Sequence, residues 1–290
     1  MQPGPVAAQR LQWVEAQGKI FTMHLRRGMR LLDAVQQGFA GAGCGSGVLN
    51  FSAAALGPFA YVMPALSQTP EHAAFYSDRF QPAGLSRLSI AAMTFGWRDA
   101  KPFFHCHGLW READGKMSGG HILPEATMIA ESFEAQALGL HGAVFAAQAD
   151  PETGFNLFGP VPCAATAQAG ARIFALRLRP NQDICAALEQ FCVMREIAGA
   201  TLHGGVGSIV GAHFADGRRV EAFATEMAIR SGRIAPGKDG NLEAVLDIAL
   251  IDHTGTVTQG LLQRGGNPVL MTLEAVLVAD CIAPSKFAIM

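Results

Sequence analysis

The chain is written twice. Placing IFTMHLRRGMRLLDAVQQ (20–37) above IFALRLRPNQDICAALEQ (173–190), at an offset of 153, brings Ile20, Phe21, Leu25, Arg26, Ala34 and Gln37 onto Ile173, Phe174, Leu178, Arg179, Ala187 and Gln190. Each copy begins with an alternating stretch and passes a turn-like break, Arg27-Gly28 or Pro180-Asn181. Each then continues with apolar residues at helical spacing, such as Leu31, Leu32 and Val35, or Ile184, Ala187 and Leu188. Further on the copies realign at an offset of 140, with Gly115 on Gly255, Gly120 on Gly260 and Glu134 on Glu274. An ordered series of matches is the signature of a duplicated unit, and it constrains the fold more than any single motif. It predicts two homologous α+β domains, residues 1–155 and 170–290, each a mostly antiparallel β-sheet with a packed helix. The boundary is expected in QADPETGFNLFGPVPCAATAQAG (148–170), which is rich in Gly, Pro and Ala and poor in periodicity.

Composition narrows the function classes. With 22 basic and 24 acidic residues the formal net charge is −2, which supplies no field for a phosphate backbone, so nucleic acid is not the favoured partner. Hydrophobic residues make up 50% and charged residues 16%, a balance suited to large cores and to the interfaces of a homo-oligomer. The N-terminal MQPGPVAAQR lacks the basic patch and apolar core of a secretory leader. The most apolar window, Val48 to Leu66, is interrupted by Asn50, Gly57, Pro58 and Pro64, which predicts buried strands and turns and no membrane span. Cysteines at 44, 106, 163, 185, 192 and 281 have no metal or disulfide spacing and read as reduced thiols of a cytoplasmic protein.

The chemistry concentrates in FFHCHGLWREADGKMSGGH (103–121). A hairpin loop at Ala113-Asp114-Gly115 places Gly115 where the backbone turns left-handed, a conformation that glycine enters without steric cost. The same register pairs Glu112 with Lys116 and sets His107 opposite His121. His105 lies two residues before His107, on the same face and roughly 7 Å along the strand. Three imidazoles then project from one side of a two-stranded ribbon, enough for one Zn²⁺ or another divalent ion with a coordination position left open. Cys106 alternates to the opposite face and is not a ligand, while Gly108 and Gly120 pair there and admit another element closely. In the second copy His105, His107 and His121 correspond to Val245, Asp247 and Leu261, which predicts the same hairpin without the site. His24, His72, His141, His203, His213 and His253 lack such geometry and read as packed or surface residues. GAGCGSG (41–47) lacks the Lys-Ser/Thr of a phosphate loop and reads as a turn before the next strand, and HGGVGS (203–208) lacks it too, so neither supports nucleotide binding.

The His105-x-His107 pair, the Asp114-Gly115 turn, Gly119-Gly120-His121, Glu134 and the opening Leu25-Arg26-x-Gly28 together resemble the plant and prokaryote conserved (PPC) domain family. The resemblance is strong over about residues 20–140 and weaker over about 172–280. It implies an antiparallel α+β fold, a tendency to trimerise and, in bacterial members, zinc on the three histidines, here His105, His107 and His121. Plant members carry an Arg-Gly-Arg hook for the minor groove. This chain lacks one, and Arg26-Arg27-x-x-Arg30 and Arg218-Arg219 read as solvated faces. The fold and the three-histidine pattern are more distantly similar to acetolactate decarboxylase and some zinc-dependent ester hydrolases. The expectation is a metal-dependent enzyme or binding protein for a small carbonyl or carboxylate molecule, with Glu134 and Glu131 as candidate catalytic acids or bases. A DNA-binding or regulatory protein with a structural metal, and a non-enzymatic oligomeric scaffold, stand as alternatives.

Overall fold

The computed structural model describes residues 2–164 and 170–280. The first copy contains β1 (Leu11–Leu25), α1 (Leu31–Gly41), β2 (Gly47–Phe51), β3 (Ala55–Leu56), β4 (Tyr61–Val62), β5 (Pro64–Leu66), β6 (Ala74–Tyr76), β7 (Ser86–Arg98), β8 (Lys101–Arg111), β9 (Met117–Ile122) and β10 (Phe133–His141). A hairpin of β11 (Ala143–Ala149) and β12 (Asn156–Pro162) follows. The second copy contains β13 (Ala171–Leu178), α2 (Ile184–Met194), β14 (Ala200–Ile209), β15 (Ala212–His213), β16 (Arg219–Val220), β17 (Thr225–Pro236), β18 (Leu242–Asp252), β19 (Val257–Leu261) and β20 (Val269–Ala279).

The duplication is visible element by element. The strand order β1-β10-β2-β7-β8-β9 of the first copy recurs as β13-β20-β14-β17-β18-β19 in the second. Both are mostly antiparallel sheets with one packed helix, the α+β architecture that the repeat predicts. The helices start at Leu31 and Ile184, separated by the sequence offset of 153. Before each helix the chain makes the same left-handed turn, at Gly28 (φ +80) and at its counterpart Asn181 (φ +65), the two residue types that tolerate that conformation best. Leu31, Val35 and Phe39 bury one face of α1, and Ile184, Leu188 and Phe191 do so for α2.

The two sheets are one. β1 is 15 residues long because it serves both copies. Its second part, Gln17–Leu25, pairs antiparallel with β10, while Leu11–Gly18 pairs antiparallel with β13. Trp13, in the part that crosses over, packs on Phe174 and Phe191 of the second core, with ring centroids 6.1 and 6.0 Å away. The faces also meet. β7 and β8 lie against β14 and β17, and Ala16, Val48, Leu138, Phe145, Phe158, Ile173 and Val276 form a shared apolar cluster.

The stretch 148–170 differs from the plain boundary expected of it. Residues 156–162 form β12, and the buried Asp150 binds Arg177 and Arg179 of the second copy, so this segment is part of the contact between copies. Residues 165–169 of that stretch, and residues 281–290 with Cys281, lie outside the described residues. Val48 to Leu66 forms β2 to β5, and no described helix is long and apolar enough to cross a membrane. The five cysteines among the described residues are free thiols.

Candidate metal centre

Strand β8 sorts its side chains by parity. Phe104 and Cys106 enter the first core, both 0% exposed, while His105 and His107 point the other way, towards the second copy. β9 returns in the predicted register, with His107 opposite His121 and Gly108 opposite Gly120. The turn is closed by the Glu112 amide donating to the Lys116 carbonyl at 2.9 Å, with Gly115 at φ +90. A Cβ on Gly120 would lie 2.3 Å from the carbonyl oxygen of Val62, so β4 is the element that the missing side chain admits.

The three imidazoles converge. His105 Nε2 lies 3.0 Å from His107 Nε2, which lies 3.3 Å from His121 Nδ1, and the three atoms are all within 4.8 Å of one another. The outer nitrogens fix the protons. His105 Nδ1 donates to Glu274 Oε2 at 2.5 Å, and His107 Nδ1 faces the carbonyls of Gly207 and Met227 at 3.1 and 3.2 Å. Carbonyl oxygens only accept, so Nδ1 carries the hydrogen on His107 and its Nε2 turns a lone pair towards the other two rings, while the His105 Nδ1–H is likewise committed outwards to Glu274. Lone pairs directed at a common point repel unless a cation lies between them. Burial first, then the neighbouring histidines, hold His107 well below the usual histidine range, and burial, His105 and Arg98 do the same for His121. A proton is therefore a poor occupant, whereas three imidazole nitrogens oriented by a carboxylate and by backbone carbonyls are a donor set that suits zinc.

The second copy supplies much of the surround. Glu274 is fully buried and also accepts from Thr272 Oγ1 at 3.2 Å. Glu226 places Oε1 3.6 Å from His107 Nε2, its Oε2 has no partner among the described residues, and burial raises its carboxyl well above the usual range. Tyr76, from the β5–β6 hairpin, packs its ring 5.4 Å from that of His121. Although 39% exposed as a residue, it turns its hydroxyl inwards, where burial, Glu226 and Glu274 raise its pKa.

Glu131 and Glu134, the expected acids or bases, are placed elsewhere. Glu131 forms an exposed bidentate pair with Arg87, at 2.7 and 3.0 Å. Glu134 lies on the open face of β10, 2.9 Å from His24, and is 65% exposed. The position at the imidazoles is taken by its repeat counterpart, Glu274. In the second copy Asp247 and Leu261 pair as His107 and His121 do, and Val245 and Leu261 are exposed. Among the other histidines, His24 binds Glu134 and His141 lies 3.5 Å from Cys44. His72 sits on the rim of the site, its ring tilted against Phe155 with centroids 4.3 Å apart. HGGVGS is part of β14 and provides the Gly207 carbonyl that orients His107.

A cavity of about 520 Å³ opens in front of His105 and His121, walled by Tyr76, Arg98, Phe103, Phe155, Phe158 and Glu274. A smaller space of about 50 Å³ reaches His107 and Glu226, enough for a few waters. The arrangement can hold a cation on three neutral nitrogens, keep a carboxyl beside it and admit a small molecule from one side.

The model of the Plants and Prokaryotes Conserved (PCC) domain matches residues 165–279, in the half where the sequence resemblance is weaker. Among solved structures, a metal-containing protein from Archaeoglobus fulgidus aligns at 21% identity over 51% of this chain and 97% of its own, with a TM-score of 0.40. A plant- and prokaryote-conserved protein from Pyrococcus horikoshii aligns at 15% identity over 52% and 97%, also at 0.40. A candidate DNA-binding protein from Ralstonia eutropha aligns at 16% identity over 49% and 90%, at 0.34. No curated protein matches the chain.

Proposed function

We infer that the chain is a tandem PCC protein, on the match of its residues 165–279 to the Plants and Prokaryotes Conserved (PCC) domain model, and that its first copy carries a zinc-type centre for a small carbonyl or carboxylate molecule. The observation that carries this reading is the convergence of His105 Nε2, His107 Nε2 and His121 Nδ1, with the protons of the first two rings committed outwards. A bound divalent cation would supply Lewis acidity towards an oxygen of the ligand. The chain's own residues do the rest. Glu274 and the Gly207 and Met227 carbonyls hold the rings in register. Glu226, buried beside His107, is placed to exchange a proton with a molecule entering the site, the role that the sequence assigned to Glu131 and Glu134. The copies are taken as residues 1–155 and 170–290 of a cytoplasmic homo-oligomer. Free thiols support the compartment, and Ile20, Val245 and Leu261, all exposed, are apolar surface open to a second chain.

The test is metal content. Purified protein is expected to hold one equivalent of zinc, and His105→Ala combined with His107→Ala is expected to hold none while keeping its circular dichroism spectrum. An unfolded double variant would favour a structural metal, and a wild-type chain that takes up no divalent ion would end the reading. The nucleic-acid alternative draws support from the names of relatives such as the Ralstonia eutropha protein. Against it, Arg30 and Arg218 are paired with Asp33 and Asp216. Salt-dependent binding of random duplex DNA would reinstate it.

A further inference from the structure

The two ends of β7 carry arginines in opposite situations. At the start, Arg87 is locked in its bidentate pair with Glu131. At the end, Arg98 is exposed, lies on the wall of the large cavity, and has no carboxylate partner among the described residues. Its guanidinium stands over the Phe103 ring, 5.2 Å from the centroid. A stacked guanidinium keeps its edge donors free, and those donors match the two oxygens of a carboxylate. The rest of the wall is largely aromatic, through Tyr76, Phe155 and Phe158, with Glu125 and Glu274 as its acids.

On the reading that the imidazoles hold a cation, we propose that Arg98 is the anion-recognising residue of this cavity, and that the ligand is a small oxo- or hydroxy-carboxylate with a planar apolar body. The carboxylate sits on the Arg98 guanidinium, the second oxygen faces the three imidazoles, and the body lies among the aromatic rings. A monoanion fits better than a phosphate ester, because Glu125 and Glu274 on the same wall oppose a second negative charge. The volume, about 520 Å³, lies within the range of small-molecule sites.

Isothermal titration calorimetry of the full chain, with zinc content measured on the same sample, tests this with phenylpyruvate as the probe. Phenylpyruvate is expected to bind the zinc-loaded protein. Arg98→Gln is expected to weaken it by about tenfold to a hundredfold, the range of a charge-assisted hydrogen bond, without changing the zinc content. Lys101→Gln, which removes a like charge directly across the β7–β8 pair, is expected to leave affinity unchanged. Acetate, which lacks the body, is expected to bind at least about tenfold more weakly, as lost aromatic burial requires. The inference is overturned if the zinc-loaded protein ignores phenylpyruvate, if Arg98→Gln binds it as well as wild type, or if Lys101→Gln weakens it equally. A chain without zinc is a different failure, that of the metal centre itself.

Discussion

Glu134 and Glu274 occupy the same position in two copies of one fold, yet the first is 65% exposed beside His24 and the second is fully buried against His105. The hairpins differ in the converse way. His107 and His121 of β8–β9 are buried under the second copy, whereas Val245 and Leu261 of β18–β19 are exposed. Each copy keeps half of a site. The first retains the imidazoles, the second retains the carboxylates, and only one of the two pairings a duplicated unit could make is assembled. The role proposed for each residue follows from which surface it faces, and the fold of its own copy does not decide it.

The sharpest way to break the comparison is to remove a ligand. His107→Ala is expected to lower zinc affinity by more than about a hundredfold, beyond the range for loss of an orienting partner, while Asp247→Ala leaves it unchanged. Competition against a chromogenic chelator reads both. Next come the counterparts themselves. Glu274→Gln should weaken zinc about tenfold to a hundredfold through the orientation of His105, and Glu134→Gln should have no effect. Equal effects would remove the distinction between the copies.

Acid titration separates the hairpins more gently. In the metal-free protein His107 and His121 stay neutral well below about 6.5, where histidines of the unfolded chain take up protons. Below about 6.5 the unfolded state therefore binds the extra protons, and the stability these rings contribute falls, by about 1 kcal/mol each at pH 5.5. Glu226, raised by burial, works in the opposite sense. Its contribution is complete below about 4.5 and is lost as the pH rises through its folded value. Urea midpoints at pH 7.5 and 5.5 should show a smaller acid-side loss in His121→Gln than in wild type, whereas Leu261→Gln should track wild type. The smallest contrast lies in the helices. Asp183 caps α2 by accepting from the Ala186 amide at 3.0 Å, whereas Arg30 gives α1 no side-chain cap. Asp183→Ala is expected to cost about 1 kcal/mol in denaturant unfolding, and Arg30→Ala about half of that or less.

The sequence carries what local rules can carry. Alternation in FFHCH assigns faces, Gly115 fixes the loop, and together they give the register that joins His107 to His121. Cross-copy partners obey no such period. Glu226 and Glu274 approach the histidines from more than 100 residues away, so neither spacing nor turn chemistry points to them. Each leaves a trace all the same, as the one charge in a short apolar run, ATEMAI or LMTLEAVLV. A carboxylate in such a run must find a partner or lose its charge, but Glu134 in FEAQALGL meets the same description, so the sequence alone does not separate it from Glu274. Arg98 and Tyr76 leave no comparable trace, because an arginine at a strand end and a tyrosine in a hairpin are ordinary surface choices.

The crossing strand makes the copies inseparable in a stronger sense than a linker does. Because β1 lends one stretch of backbone to β13 and the next to β10, a fragment cut to the length of one repeat loses a neighbour along a whole strand edge. The imidazoles and their carboxylate are then kept in alignment by the same row of peptide groups that fuses the sheets. Isolated halves would mismeasure the site, and denaturation of the intact chain should erase both halves in a single step.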